Sequence, residues 1–421
     1  MEECETFLLY NSLWTTLYLG RNCENNSVTG RDFENVKKHI NRKIVTPTTK
    51  KLFQLFIEKS FDIYFVGGCV RDFLLNLPIK DIDISTTALP NEIISIAREN
   101  NIKAIKTGIE HGTITLVYKT IQYQITTFRT DIKTDGRKAV VNFSKDIIAD
   151  ASRRDLTINA LYADIEGNII DPLNIIADLN SRKIKFINNP QERIVEDNLR
   201  ILRFFRFYAW FGKTNNSLDN ASLRACVRFK EKLLNLSGER IGTEMKKLLT
   251  APKPIKSLEI MLAEGILEII MPKADVHLLK SLIKFEREAD VSIHWTTRAS
   301  VMTDSKLKTK WKLSNSDHKL LSTLQKFKYY NISISKIAYL YGQELAIKYA
   351  VIKSVISNES LPKNLDTLVN LGVSAVFPIT SQDLIPDYQG KDLGKKLHSL
   401  KNIWIDSKFS LTKEDLLRST S

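Results

Sequence analysis

From Ile44 to Pro172 the hydrophobic residues fall in short runs that alternate between two periods. The run DIYFVGG predicts a strand that stops at two glycines, and CVRDFLLN after it predicts the start of a helix. DIDIS alternates over five positions and predicts a short strand, whereas PNEIISIAREN has helical spacing behind a proline. TITLVY and IQYQITTF are β-rich and close enough to pair as a hairpin. From Asp178 onward the helical period takes over. QERIVEDNLRILRFFRFYAWFG predicts one long helix, with Pro190 before it and Gly212 at its end. Later helices are separated by breakers such as APKP, LSNSDH and LPKN.

This pattern gives a head of α/β or α+β class, then a mostly helical remainder. The expected divisions are an extension over residues 1–44, a head over 45–175, a helical neck over 176–250 and a helical body and tail over 251–421. The extension contains the polar stretch RNCENNSVTGRD and shows no period, so no function is attached to it. A chain of 421 residues exceeds what one core usually serves, consistent with several domains.

Composition narrows the partners. No apolar run approaches the ~20 residues a bilayer span requires. The acidic start MEEC is unlike the positive start of a secretory signal. A cytoplasmic protein with no membrane association is expected. The 62 Lys and Arg against 48 Asp and Glu give a formal charge of +14, which favours a polyanion through counterion release. Cys4, Cys23, Cys69 and Cys226 are far apart and form no CxxC pair, so neither a zinc site nor a disulfide framework is expected.

Asp81 and Asp83 are two apart on a predicted strand and therefore project from one face. Paired carboxylates repel unless a cation sits between them, and magnesium accepts such oxygens. Two ions about 3.5–4 Å apart can activate an attacking oxygen and stabilise a leaving one. Alone, a DxD pair is more often a polar strand face. Here Gly67 and Gly68 stand just upstream, between strand and helix, followed by Arg71. Glycines there let backbone approach a ligand, and a helix start offers N–H groups to phosphate.

With these residues in view, the chain resembles the DNA polymerase β superfamily of nucleotidyltransferases, and within it class II CCA-adding enzymes and bacterial poly(A) polymerases. VGGCVRDFLLNLPIKDIDIST, ASRRDLTINALYAD, ERIVEDNLRILRFFRFYAWFG and LSGERIGTEMKKLL carry the likeness in order, and FPITSQDLI with the final helical segment resembles the family's end. The resemblance implies an α+β fold with a polymerase-β-like head built on a mixed sheet, catalysis and metal binding at Asp81 and Asp83, and two magnesium ions. It implies nucleotide contacts from Gly67, Gly68, Arg71, Arg154, Asp155 and Asn159. It also implies a switching loop at Asp135, Gly136 and Arg137, CTP and ATP as substrates, and the 3′ end of tRNA as the acceptor. A helical, Lys- and Arg-rich second half would hold RNA by shape and backbone charge, with KEKLLNLSGERIGTEMKK and KLKTKWKL as candidate contacts.

On one continuous helix Asp197 and Arg200 share a face. An exposed ion pair is the plain reading. The functional one is base choice. Cytosine and adenine both present an amino donor beside a ring-nitrogen acceptor, which a carboxylate and a guanidinium match; guanine and uracil present the reverse. Arg203 and Arg206 follow at three-residue steps and reach either the nucleotide or merely the helix surface. One position departs from the family. Gln124 stands where a third acid is common, which predicts a weaker metal site and lowered activity. The rivals are a poly(A) polymerase, which would grow long A tails, and a non-catalytic RNA-binding protein on a decayed scaffold. Asp317-His318 is an isolated acid–histidine pair with no companion ligands, so a phosphohydrolase is not expected.

Overall fold

The structure is a computed structural model that describes residues 44–135, 138–213, 217–385 and 387–418. The 1–44 extension therefore lies outside it, save Ile44, as do Gly136 and Arg137 of the predicted loop and the side chain of Asp135. The described chain divides into two compact units, meeting in sequence at Ile270 and Met271. The first holds the expected head and neck and runs past residue 250 through two further helices.

In the first unit, α1 (Pro47–Ile57) starts at Thr46, whose hydroxyl accepts from the Thr49 N–H at 3.1 Å, with Pro47 in the first turn. Then come β1 (Ile63–Val66), α2 (Gly68–Leu74), β2 (Ile82–Thr86) and α3 (Pro90–Glu99). β3 (Lys103–Gly108), β4 (Thr113–Tyr118) and β5 (Ile121–Thr127) follow, with β4 and β5 forming the expected hairpin. β6 (Arg129–Asp135) and β7 (Lys138–Phe143) make a separate two-stranded ribbon. After α4 (Ile147–Ser152), β8 (Tyr162–Ala163) and β9 (Ile169–Ile170) complete a seven-stranded sheet of order β3-β4-β5-β2-β1-β8-β9. β2 pairs parallel with β5 and antiparallel with β1, so it is an interior strand.

Alternation divides the sheet into two faces. Phe65, Ile84, Ile114, Leu116, Tyr123 and Ile125 are buried on one of them. Phe53 of α1 packs its ring 4.6 Å from that of Phe65, and Thr49 and Tyr123 share a hydrogen bond of 3.0 Å. Asp83, Ser85 and Gln124 point to the opposite face, which is polar.

The neck begins with α5 (Ile176–Asn180) and α6 (Pro190–Glu196), followed by α7 (Arg200–Phe211). The single helix expected over 191–212 is thus two helices. Asp197 is extended (φ −151°, ψ 106°), and its side chain accepts from the Leu199 N–H at 3.1 Å. This local turn competes with the helix, as Asp does when its side chain can bond backbone two residues on. α7 ends at Phe211 as expected, though Gly212 is extended rather than left-handed. α8 (Asn220–Arg228) packs on α6, α9 (Gly238–Leu249) and α10 (Ile255–Ala263) pack on α7, and α11 (Ile266–Ile270) packs on α10. The buried Ser257 hydroxyl donates to the Phe205 carbonyl at 2.7 Å, tying α10 to α7, while Phe204 stacks on Phe186.

The second unit is helical: α12 (His277–Glu288), α13 (Trp295–Met302), α14 (Asn315–Phe327), α15 (Ile334–Tyr341), α16 (Gln343–Ser357), α17 (Leu365–Ser374), α18 (Gly390–Asp406) and α19 (Lys413–Arg418). Every residue of α13 is buried, and its Arg298 pairs with Glu286 of α12 at 2.6 Å. A terminal core gathers Ile379, Leu384, Leu400, Trp404, Ile405 and Leu416. In KLKTKWKL, Leu307, Trp311 and Leu313 are buried while Lys306, Lys308 and Lys312 are exposed, so the apolar residues anchor a cationic ridge. No described helix is long and apolar enough to cross a membrane.

Candidate active site

The strand–glycine–helix turn builds one wall. Gly67 has φ 72° and ψ −122°, a conformation essentially restricted to glycine. A Cβ there would lie 3.4 Å from Arg154 Nη1. At Gly68 a Cβ would lie 3.7 Å from Arg71 Nη2 and 4.0 Å from Asp83 Oδ2. The glycine turn, Arg71 and an acid of β2 thus converge, as the sequence spacing suggested, and Arg154, named from the resemblance, joins them.

Asp81 immediately precedes β2 and is exposed, whereas Asp83 within the strand is half-buried. Among the described residues neither carboxylate has a side-chain hydrogen bond or an ion pair at contact distance. Burial pushes the Asp83 carboxyl up, and Arg154 and Arg71 oppose that while Asp81 and Asp72 add to it. Gln124 is directly beside Asp83 in the parallel register of β2 and β5. The third position of the acid cluster is therefore a neutral amide, and no group of three or more His, Cys, Asp or Glu suited to a metal occurs among the described residues. Two unpartnered carboxylates still fit magnesium, which takes one or two of them and completes its shell with water and phosphate.

A continuous network connects this wall to the neck. Arg71 donates to Asn159 Oδ1 at 2.5 Å and pairs with Asp72 at 2.7 Å. The Asn159 amide donates to Asp155 Oδ1 at 3.1 Å, and Asp155 Oδ2 takes Arg203 of α7 at 2.5 Å. Burial alone would raise the Asp155 carboxyl. Arg203, the Asn159 amide and the Leu156 N–H outweigh it and hold the group well below the usual carboxylate range. Arg206 pairs with the buried Glu244 of α9 at 2.5 Å and covers the Phe207 ring at 4.1 Å. Arg71 and Arg203 approach the same ring at 5.3 and 5.5 Å, and Arg71 also lies 4.1 Å from the centroid of Phe211. Three guanidiniums can gather at one ring because each has its own carboxylate and the ring face attracts cations.

Two expected partners are apart from each other. With the helix broken at Asp197, Asp197 and Arg200 do not form an ion pair. Asp197 Oδ2 takes Arg240 of α9 at 2.7 Å. Arg200, the first residue of α7, is buried and donates to Glu196 Oε2 at 2.5 Å, to the Arg193 carbonyl at 2.9 Å and to the Arg153 carbonyl at 3.3 Å.

The sequence reading missed Asp72, Glu196, Arg240 and Glu244 as partners of the arginines and of Asp197. It also missed Asp150, which is fully buried among Arg153, Arg154, Ser85 and Tyr162. Its spacing to the two arginines, three and four residues, was the available signal. The buried Cys69 and Cys226 are free, with thiols raised by burial, Cys69 to about 12; both are inert at neutral pH.

Comparison with known proteins places this geometry among relatives. Residues 63–185 match the "Poly A polymerase head domain", and residues 217–278 match the "Probable RNA and SrmB- binding site of polymerase A". The mouse (Mus musculus) mitochondrial CCA tRNA nucleotidyltransferase 1 is 39% identical over 210 residues, 50% of this chain and 48% of that protein. A Lactobacillus delbrueckii CCA-adding enzyme is 40% identical over 213 residues, 50% of this chain and 52% of its own. The chain thus spans about half the length of the curated relatives it matches. The Bacillus stearothermophilus CCA-adding enzyme, solved in complex with CTP, superposes with a TM-score of 0.69 at 26% identity, covering 87% of this chain and 94% of its own. The Thermotoga maritima enzyme, solved with tRNA, shares the fold with a TM-score of 0.62 at 18% identity, covering 92% of this chain and 98% of its own.

Proposed function

We propose that the chain is a class II CCA-adding enzyme, as the matches of its head and neck suggest, and that it adds CMP and AMP, from CTP and ATP, to the 3′ end of tRNA. The observation that carries the proposal is the unpartnered Asp81–Asp83 pair beside the Gly67–Gly68 turn, with Arg71 and Arg154 facing the same space. In the proposed reaction the RNA 3′-oxygen bonds to the α-phosphorus and the bond to the β-phosphate oxygen breaks, releasing pyrophosphate. Magnesium, held by Asp81 and Asp83, would supply charge neutralisation and a more acidic 3′-hydroxyl. Arg71 and Arg154 grip the triphosphate, and Asn159 and Asp155 fix Arg71 and Arg203 around the nucleotide. Their contribution is positioning and a prearranged field.

Base choice is assigned to Asp197 and Arg200, on the two sides of the joint between α6 and α7. Arg240 and Glu196 hold them until a base arrives. The loop at Asp135, Gly136 and Arg137 is assigned the switch from CTP to ATP. The cationic ridge of Lys306, Lys308 and Lys312 is assigned to RNA phosphates. The cytoplasmic placement expected from the sequence belongs to the proposal and is checked by fractionation, since the mouse relative is named as a mitochondrial protein.

The test is incorporation into tRNA lacking its terminal CCA, with CTP and ATP separately and together, by wild type and Asp81→Ala. The expected result is magnesium-dependent addition of two C and one A, abolished by the substitution. Long A tails from ATP alone would replace this reading with poly(A) synthesis. Incorporation that survives Asp81→Ala would overturn the site assignment.

A further inference from the structure

Arg154 is the least explained of the arginines at the glycine turn. It follows α4 in an irregular turn, where an arginine would ordinarily sample many rotamers. Here its Nε–Nη2 edge is fully occupied. Nη2 donates to Asp150 Oδ2 at 3.0 Å and to Ser85 Oγ at 3.1 Å, and Nε donates to the Tyr162 hydroxyl at 3.3 Å. The Tyr162 hydroxyl in turn donates to Asp150 Oδ2 at 2.7 Å. Asp150 Oδ1 takes Arg153 at 2.7 Å, so both carboxylate oxygens are satisfied. Nη1 makes no hydrogen bond to a described residue, and it is the atom 3.4 Å from where a Gly67 side chain would begin.

We propose that Asp150 is a positioning residue for the triphosphate: it clamps Arg154 by one edge so that the other edge faces the Gly67 turn. The inference rests on the proposed nucleotidyl transfer and adds to it a residue that touches no substrate. Three elements build the clamp. Asp150 comes from α4, Tyr162 from β8, and Ser85 from β2, two residues beyond Asp83. The clamp therefore registers the phosphate-binding arginine directly against the strand that carries the acid pair. A guanidinium fixed by two edge nitrogens cannot swing when a phosphate arrives, so its donors are set before binding. A purely structural Asp150 would tie α4 to the sheet and have no preference for the phosphate chain.

That difference defines the experiment. Affinities of the full-length protein for CTP and for CMP are measured by titration calorimetry, for wild type, Asp150→Asn, Arg154→Ala and the double variant. Asp150→Asn keeps the size and shape but removes the charge and turns one acceptor oxygen into a donating amide nitrogen. It should weaken CTP about tenfold, as loss of a charge-assisted contact does, while CMP changes less than about twofold. In the double variant CTP should bind no more weakly than in Arg154→Ala alone, because Asp150 acts through Arg154. Equal losses for CTP and CMP, or independent losses in the double variant, would overturn the proposal. Should Asp150→Asn fail to fold, Tyr162→Phe removes one strand of the clamp. It should weaken CTP about threefold with CMP unchanged, and no change would overturn the idea equally. A wild-type protein that binds CTP no better than CMP would instead sink the nucleotidyl-transfer reading itself.

Discussion

The two neighbouring glycines separate architecture from chemistry. Gly67 has φ 72° and ψ −122°, and a methyl there would meet Arg154 Nη1 at 3.4 Å and the Asn159 carbonyl at 3.6 Å. Forcing alanine into such a conformation costs about 1–3 kcal/mol, so Gly67→Ala should lower the urea midpoint by that amount of stability. Gly68 is the first residue of α2, with no positive φ, and its methyl would make only ordinary contacts, 3.7 Å to Arg71 and 4.0 Å to Asp83 Oδ2. Replacing a helical glycine by alanine gains about 0.5–1 kcal/mol, so Gly68→Ala should be as stable as wild type or slightly more so. Yet that methyl occupies the space between Asp83 and Arg71 where the proposal puts the triphosphate. A displacement of about 1 Å costs on the order of a hundredfold in rate, so kcat/KM for CMP addition should fall by about that factor. Urea unfolding followed by circular dichroism, together with steady-state incorporation, reads both effects. A stable Gly68→Ala protein with wild-type kcat/KM would refute the placement of the phosphates.

Three further outcomes follow from the same geometry. Arg240→Ala should release Asp197 and raise misincorporation of UMP and GMP relative to CMP by about tenfold, read by single-nucleotide extension. Gln124→Glu should lower the magnesium concentration for half-maximal rate, because it adds a charge directly beside Asp83; an unchanged magnesium dependence would contradict this. Asp150 and Asp155 both ionise well below the unfolded value of about 3.9, because their arginines outweigh the cost of burial. Below that pH the unfolded chain binds more protons than the folded one. The stability these groups contribute is therefore fully present above about pH 4 and is lost as pH falls through their depressed folded values. Urea midpoints between pH 5 and about 2.5 should fall less steeply for Asp150→Asn than for wild type.

Much of the head could be read from its residues because alternation is a short-range signal. DIDIS, TITLVY and IQYQITTF each became the strand their period demanded, and the glycine turn formed where backbone freedom was needed. The parallel pairing of β2 with β5, which sets Gln124 beside Asp83, depends on chain crossing and has no local trace. The break between α6 and α7 escaped for a different reason. ERIVEDNLRILRFF keeps helical spacing throughout, with neither glycine nor proline at the joint. The interruption is made by Asp197 bonding its own backbone two residues on, a choice settled by Arg240 waiting 43 residues away. Of the site, the acids and the arginines were evident by type. The buried partners that orient them were not, because a lone Asp150 or Glu244 looks like any surface charge until its burial is known.

β2 lies inside the seven-stranded sheet with neighbours on both sides, whereas among the described residues β6 and β7 pair only with each other. Amide exchange will therefore differ sharply across the head: slow along Ile82–Thr86, and faster in the ribbon, since a lone pair of strands is only marginally stable. The strand on which the proposed chemistry rests is thus a stiff anvil, and the ribbon beside it is an arm held by packing against helices rather than by a sheet.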